Sequence, residues 1–384
     1  WGVVITDIVQ FFIAMFGSIA LAIITLNHVG GMDTLLQKLS SLLGTDIIHE
    51  NTLKFIPPIP DNSIGSLSFW ESPFSKFLIF ITVMWWSHHG TDGGGYIIQR
   101  MSSAKNEKHA LLATLWFNLA HYALRVWPWI IVGVVSIVMF PVIPDSYSEL
   151  GTKAGYPLVM NMLLGPGMKG ILIVSFLAAF MSTIDTHLNW GASYIINDIY
   201  KRFFKPNESE KHYVIVSKII TVVLMILAAF TALKMQSISK AWAFIFSMGA
   251  GIGLVLILRW FWWRINAWSE ITALSTSIVI TLLLESLAWW QVSAKEGAYS
   301  LFGTEPVLFG IQIQVHHKLI IIVPIAILSW LIATFITKPE PPEHLRKFYE
   351  KVQPGGWWGP ITTNFNHSLQ PVSKGILVQW VAGV

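Results

Sequence analysis

The sequence predicts an all-α polytopic membrane protein, and three observations lead there. The 384 residues are 54% hydrophobic and only 12% charged, against about 25% charged in an ordinary soluble domain, and their mean hydropathy is +0.59. The apolar residues gather into runs near the ~20 that a helix needs to cross hydrocarbon. The basic residues fall in alternate loops between those runs.

At about 150 residues per domain, length alone would allow two or three soluble domains, but so few charges cannot cover the surface these would expose to water. The net charge of +4 and the pI near 9.1 come without an arginine-rich stripe or an RNA-binding motif. Nucleic acid is therefore excluded as a partner, and the lysine excess fits the positive-inside bias of membrane loops. The absence of cysteine excludes a disulfide scaffold, a thiolate metal site and a cysteine nucleophile. The chain opens on Trp1 inside an apolar run with no basic n-region of a signal peptide. It closes on the apolar run Gly375–Val384. Both ends read as cuts in a longer protein.

Eight spans are expected, roughly at 1–26, 73–99, 110–140, 169–197, 213–234, 241–262, 270–290 and 317–336, with a ninth starting near 375. Arg100, Lys105 and Lys108 follow the second span, and Lys201, Arg202, Lys205 and Lys211 follow the fourth. Arg259 and Arg264 end the sixth, and Lys338, Arg346, Lys347 and Lys351 follow the eighth. One alternating topology puts all of them on the cytoplasmic side. Trp260, Trp262, Trp263, Trp268, Trp289 and Trp290 cluster at span ends, where an amphipathic ring prefers to sit. The organisation expected is a membrane domain over 1–336, a proline-rich cytoplasmic connector with a short surface helix over 337–374, and the start of a further transmembrane helix over 375–384.

Ionisable groups inside spans are costly unless paired or solvated, which makes them functional candidates. In the fourth span, Ala179, Ser182, Asp185, Thr186 and Asn189 recur at i, i+3, i+4 spacing and share one helix face. Hydroxyls and a carboxylate stacked there offer oxygen ligands to a hard cation. Small hydroxyl residues also serve close helix packing, but packing does not need a carboxylate such as Asp185 at that depth. Asp7, with Thr6 and Gln10, is a second cluster, readable equally as an interfacial residue or a helix cap.

The third cluster runs from Trp86 through His88, His89 and Asp92 to Arg100, where glycines interrupt an apolar helix. Irregular backbone at membrane depth is tolerated where it is buried or lines a cavity, so this is expected to be a broken span beside a solute site. A metal held by His88, His89 and Asp92 is disfavoured, because adjacent histidines point to different helix faces and a helical metal site prefers i, i+4 spacing. His121 and Arg125 share a face and are expected to pair with a carboxylate. Met248–Gly253 superficially has the glycines of a dinucleotide loop, but it lies inside a span with no preceding strand. Close helix approach explains it better.

These residues carry a resemblance. The fourth span with its Asp198-Ile-Tyr-Lys ending resembles the signature helix of the sodium/solute symporter family. Trp1–Gln10 (Trp-x5-Asp-x2-Gln) is similar to the family's helix five. Tyr96-Ile-Ile-Gln-Arg-Met followed by Ala104-Lys-Asn resembles the end of its helix six, and Leu258–Ala267 the exit of its helix ten. The resemblance runs in order from Trp1 to about residue 290.

It implies a five-plus-five inverted-repeat transporter core, present from helix five onward and lacking the N-terminal helices and the C-terminal end. It further implies a sodium-coupled symporter of the plasma membrane, not an enzyme, that imports a small organic solute by alternating access; sugars, amino acids, carboxylates and vitamins stay open, and His88, His89 and Asp92 suit a polyhydroxylated or acidic one, a sugar or a carboxylate. Sodium is then the coupling ion and the lipid bilayer a partner. The implied sodium site takes the Ala179 carbonyl and the Ser182 and Thr183 hydroxyls, with remaining ligands from a broken first helix that this chain lacks. An implied second site for a cation or proton joins Asp7, Ser182, Asp185 and Thr186. Asp185 departs from the Ser or Thr usual in the family, and two carboxylates facing one site repel unless a cation or shared proton lies between them. Trp86, His88, His89 and Asp92 are the implied solute contacts. Residues 1–384 alone are expected not to transport. Two alternatives stand beside this reading: a membrane enzyme with a metal among His88, His89, Asp92 and His121, and a transporter-like sensor.

Overall fold

A computed structural model describes residues 2–45, 54–61, 63–235, 237–293 and 304–362. The further helix expected over 375–384 lies outside them, as does part of the connector. The chain divides into two compact units, one made of Trp1–Phe55 with Ser103–Leu233, the other of Ile56–Ser102 with Lys234–Val384.

In the first unit, helix Gly2–Val29 ends at Gly30 and Gly31, whose φ values of 102° and 92° lie in the left-handed region that glycine enters without strain. Glu107–Met139 follows; Asn106 starts it by accepting a hydrogen bond from the His109 amide at 3.0 Å, an N-cap that satisfies one orphan donor. Pro166–Phe204 has proline in its first turn, where the missing N–H costs nothing, and Glu210–Lys234 completes the set. Leu21, Ala22, Val132, Val159, Leu164 and Leu172 form the buried core. Small residues bring Gly2–Val29 and Pro166–Phe204, the latter called the fourth helix after the fourth expected span, close together: a Cβ on Gly17 would sit 2.9 Å from both Leu172 Cδ1 and Ser175 Oγ, and Ser175 Oγ donates to the Ile13 carbonyl at 3.1 Å.

In the second unit, helical residues 73–87 stop at His88, whose backbone is extended (φ −89°, ψ 166°). Helix resumes at Gly94–Ser102. The break expected in this segment is present, but its two helical pieces are not among those long and apolar enough to cross a membrane, so the expected count of eight spans is not reached among the described residues. The sixth span, expected as continuous, is also broken: Ile238–Met248 and Gly253–Phe261 meet at a 42° bend. Its glycines do serve close approach, since a Cβ on Gly251 would overlap Ala326 and Ser277, and one on Gly253 the Trp86 carbonyl oxygen. Ala267–Ser293 and Val315–Ile336 pack through a buried Ser269–Thr334 hydroxyl bond of 2.7 Å. Among the described residues, six helices are long and apolar enough to cross a membrane, seven with the bent pair.

Two features depart from a plain helical reading. The two-residue strands Val307–Leu308 and Ile311–Gln312 form a hairpin. The described part of the connector, up to residue 362, is docked rather than loose. Helix Pro342–Val352 and the segment after it join Trp263 in a core with Leu345, Trp358 and Ile361, and Trp357 N donates to the Phe261 carbonyl at 2.6 Å. Trp262 and Trp263 are therefore packed against protein, whereas Trp268, Trp289 and Trp290 are more than half exposed.

Candidate functional site

On the first and fourth helices, the packing at Gly17 and Ser175 sets the register. Seven residues, or about two turns, beyond Ser175, Ser182 Oγ donates to Asp7 Oδ1 at 2.6 Å. Both residues are half-buried. One turn along from Asp7, the Gln10 side-chain carbonyl oxygen is buried and has no hydrogen-bond partner among the described residues. Thr183 Oγ1 donates to the Ala179 carbonyl at 2.9 Å, which brings together two of the three expected sodium ligands. Asp185 Oδ1 accepts from Asn189 Nδ2 at 2.8 Å.

The stripe on the fourth helix is thus shared between two sides. Ser182 and Thr186 are half-buried, while Ala179, Thr183, Asp185 and Asn189 are exposed in this chain. Ser182 spends its only proton on Asp7 and Thr183 its own on Ala179, which leaves lone pairs on both hydroxyl oxygens. Carboxylate, hydroxyl and carbonyl oxygens are each of the kind a hard cation takes as ligands. The Asp198-Ile-Tyr-Lys ending falls in a π-helical stretch, Ile195–Phe204, and its side chains fasten the turn to the fifth helix. Tyr200 Oη lies 3.0 Å from His212 Nε2, and Lys201 lies 4.7 Å over the Tyr213 ring.

In the second unit, the break after residue 87 is knit by short bonds. Thr91 Oγ1 donates to the carbonyls of Trp86 at 2.8 Å and His88 at 2.7 Å, and the Gly90 amide donates to His88 Nδ1 at 2.9 Å. Gly249, at the bend of the sixth span, lies against the His89 ring, and the His88 ring packs edge-on to Phe246 with centroids 5.8 Å apart. The expected solute contacts Trp86, His88, His89 and Asp92 are therefore gathered at one break. Besides His88, two more have hydrogen-bond partners: the Trp86 indole donates to the Thr82 carbonyl at 2.6 Å, and Asp92 pairs with Arg259 at 2.6 Å.

One expectation is corrected. Arg125 meets no carboxylate among the described residues; its Nη2 lies 3.1 Å from His121 Nε2, and that ring stacks on Phe117 at 5.1 Å. Among the described residues no group of three or more His, Asp or Glu side chains is arranged to hold a metal. Two ion pairs had no expectation attached. Arg259 contacts Glu270 at 3.0 Å as well as Asp92, and Lys318 meets Glu285 at 2.8 Å with both side chains nearly buried. Two opposite charges inside neighbouring apolar spans were the available signal for the second pair.

Known proteins resemble this chain in sequence and fold. A family model described as the sodium:solute symporter family matches residues 1–279. Sodium/glucose cotransporter 4 of Danio rerio is 24% identical over 382 residues, covering 93% of this chain and 54% of that protein. The sodium/proline symporter of Haemophilus influenzae is 35% identical over 112 residues, covering 28% of this chain and 22% of that protein. A solved Na+-coupled sialic acid symporter, substrate-bound and outward-open, superposes with a TM-score of 0.55 at 17% identity, covering 88% of this chain and 63% of that one. The chain spans about half the length of the cotransporter it matches over nearly its whole extent. The likeness to the solved symporter gives the fold: an all-α, multi-pass inverted-repeat core.

Proposed function

Because the chain belongs to the sodium:solute symporter family, we propose that it is the second-repeat part of a sodium-coupled symporter that takes up a small organic solute. The observation that carries the reading is the 2.6 Å bond between Ser182 and Asp7. It sets a carboxylate beside the oxygen face of the fourth helix, inside two helices long and apolar enough to span a membrane. Ala179, Ser182 and Thr183 are the proposed sodium ligands. Asp7, Ser182, Asp185 and Thr186 are proposed to hold a second cation or a proton. A carboxylate at membrane depth is costly unless a cation or proton compensates it, and a site that binds sodium in one state and releases it in the other couples its gradient to transport.

The break at 86–92 is the proposed solute contact, through Trp86, His88, His89 and Asp92. Asp92 is tied to Arg259, which also holds Glu270, so it is not a free carboxylate offered to a cationic solute, and the imidazoles of His88 and His89 beside it suit a polyhydroxylated or acidic solute, a sugar or a carboxylate. The protein is a multi-pass protein of the plasma membrane, and its family sets aside the membrane-enzyme alternative.

Uptake of a panel of labelled sugars, carboxylates and amino acids by the full-length protein, with sodium replaced by potassium, tests the reading. Sodium-dependent uptake of a sugar or carboxylate is expected, with Ser182→Ala and Thr183→Ala shifting half-activation to higher sodium. Uptake indifferent to the replacement would refute it.

A further inference from the structure

One guanidinium anchors the break. Arg259 lies in the last turn of Gly253–Phe261. Its Nη2 donates to Asp92 Oδ2 at 2.6 Å and its Nη1 to Glu270 Oε1 at 3.0 Å, the latter in the first turn of Ala267–Ser293. The other oxygen of Asp92 accepts from the Gly94 amide at 3.0 Å. A line of charge-assisted bonds thus runs from the start of the seventh helix, through Arg259 and Asp92, into the backbone of the break. Gly93 and Gly94 have φ values of 90° and 61°, and glycine has the least intrinsic preference for any one backbone shape. The shape of this turn must therefore be imposed by its anchors. The same short helix touches the break a second time, where Gly253 lies against the Trp86 carbonyl.

We propose that Arg259 is a positioning residue for the solute site: it fixes the shape of the 86–94 break through Asp92 and does not itself touch the solute. The planar fork of arginine serves two carboxylates at once, which a lysine ammonium cannot do with the same geometry. Asp92, with its side chain 10% exposed, is then an anchor of the backbone more than a charge offered to the solute. The inference rests on the reading of 86–92 as the solute contact.

The chain contains no cysteine, so Gly95→Cys, at an exposed position just past the break, places a single reporter thiol beside it in a cysteine-free background of the full-length protein. Maleimide labelling of that thiol and the kinetics of sodium-driven uptake are measured together for Arg259→Gln and Arg259→Lys. Arg259→Gln is expected to speed labelling severalfold and to raise the solute KM about tenfold while the maximal rate changes little, the pattern of lost ground-state positioning. Arg259→Lys, which keeps the charge but not the fork, is expected to fall between, and it carries the test if the glutamine variant does not reach the membrane. Unchanged labelling overturns the proposal whatever happens to uptake. Faster labelling with an unchanged KM leaves Arg259 as the anchor of the break and refutes the placement of solute there.

Discussion

Removing one partner of the Glu285–Lys318 pair is expected to cost more than removing both. The two charges meet at 2.8 Å with side chains 11% and 7% exposed, on helices Ala267–Ser293 and Val315–Ile336. At an effective dielectric of about 20, two charges about 4 Å apart attract by about 4 kcal/mol, and stripping one partner from a buried pair costs about 3–5 kcal/mol because the other charge stays buried alone. The pair is also incompletely satisfied. Glu285 Oε2 and, one turn earlier on the same face, Thr281 Oγ1 are buried and have no hydrogen-bond partner among the described residues. Replacing both charges with apolar side chains is then near neutral or stabilising. Melting of the detergent-solubilised full-length protein, followed by intrinsic tryptophan fluorescence, reads this out. At roughly 2 °C per kcal/mol, Lys318→Met and Glu285→Leu alone are each expected to lower the midpoint by about 6–10 °C. The double variant is expected to return to within a few degrees of the parent, so that the cycle shows strong coupling. A harmless Lys318→Met, or a double variant as unstable as the worse single one, would refute the reasoning.

Gly253→Val is expected to abolish monodisperse folded protein on size exclusion, because any Cβ there overlaps the Trp86 carbonyl; a well-behaved valine variant would show that the two breaks do not pack as described. Gly356→Ala combines a φ of 97° with crowding against Phe261 and should release the connector, seen as faster limited proteolysis within 337–362 at unchanged melting of the membrane helices; equal proteolysis rates would contradict the docking. Asp7→Ala with Asp185→Ser is expected to change the ratio of labelled sodium to labelled solute taken up, and its dependence on pH; if both stay the same, the proposed second cation site is wrong.

The spans were legible because lipid exposure demands long apolar runs, and the fourth helix because a carboxylate among hydroxyls is conspicuous there. The break at 86–94 announced itself through its glycines. The bend at 249–252 did not, since single glycines inside a helix are tolerated at about 1 kcal/mol each, and here tertiary packing against Ala326, Ser277 and Trp86 decides the matter. Arg259 was readable only as a topology marker: its partner Asp92 lies 167 residues away, and no local pattern records that pairing. The same holds for Ser182 and Asp7, 175 residues apart, which the family resemblance placed together and composition could not. The π-helical stretches at Phe80–Met84, Leu119–Leu124 and Ile195–Phe204 have no sequence sign, because the extra residue per turn depends on neighbours rather than propensity.

Sodium coupling in this protein stands or falls on whether the oxygens around Ser182 hold sodium. Equilibrium binding of radioactive sodium to the purified full-length protein, compared with its Ser182→Ala and Asp7→Asn variants of matched melting behaviour, measures this. A loss of affinity of about tenfold or more in Ser182→Ala is expected, a change of about 1.4 kcal/mol, with fewer sodium ions bound per protein in Asp7→Asn. Parental affinity and stoichiometry in both variants would contradict it.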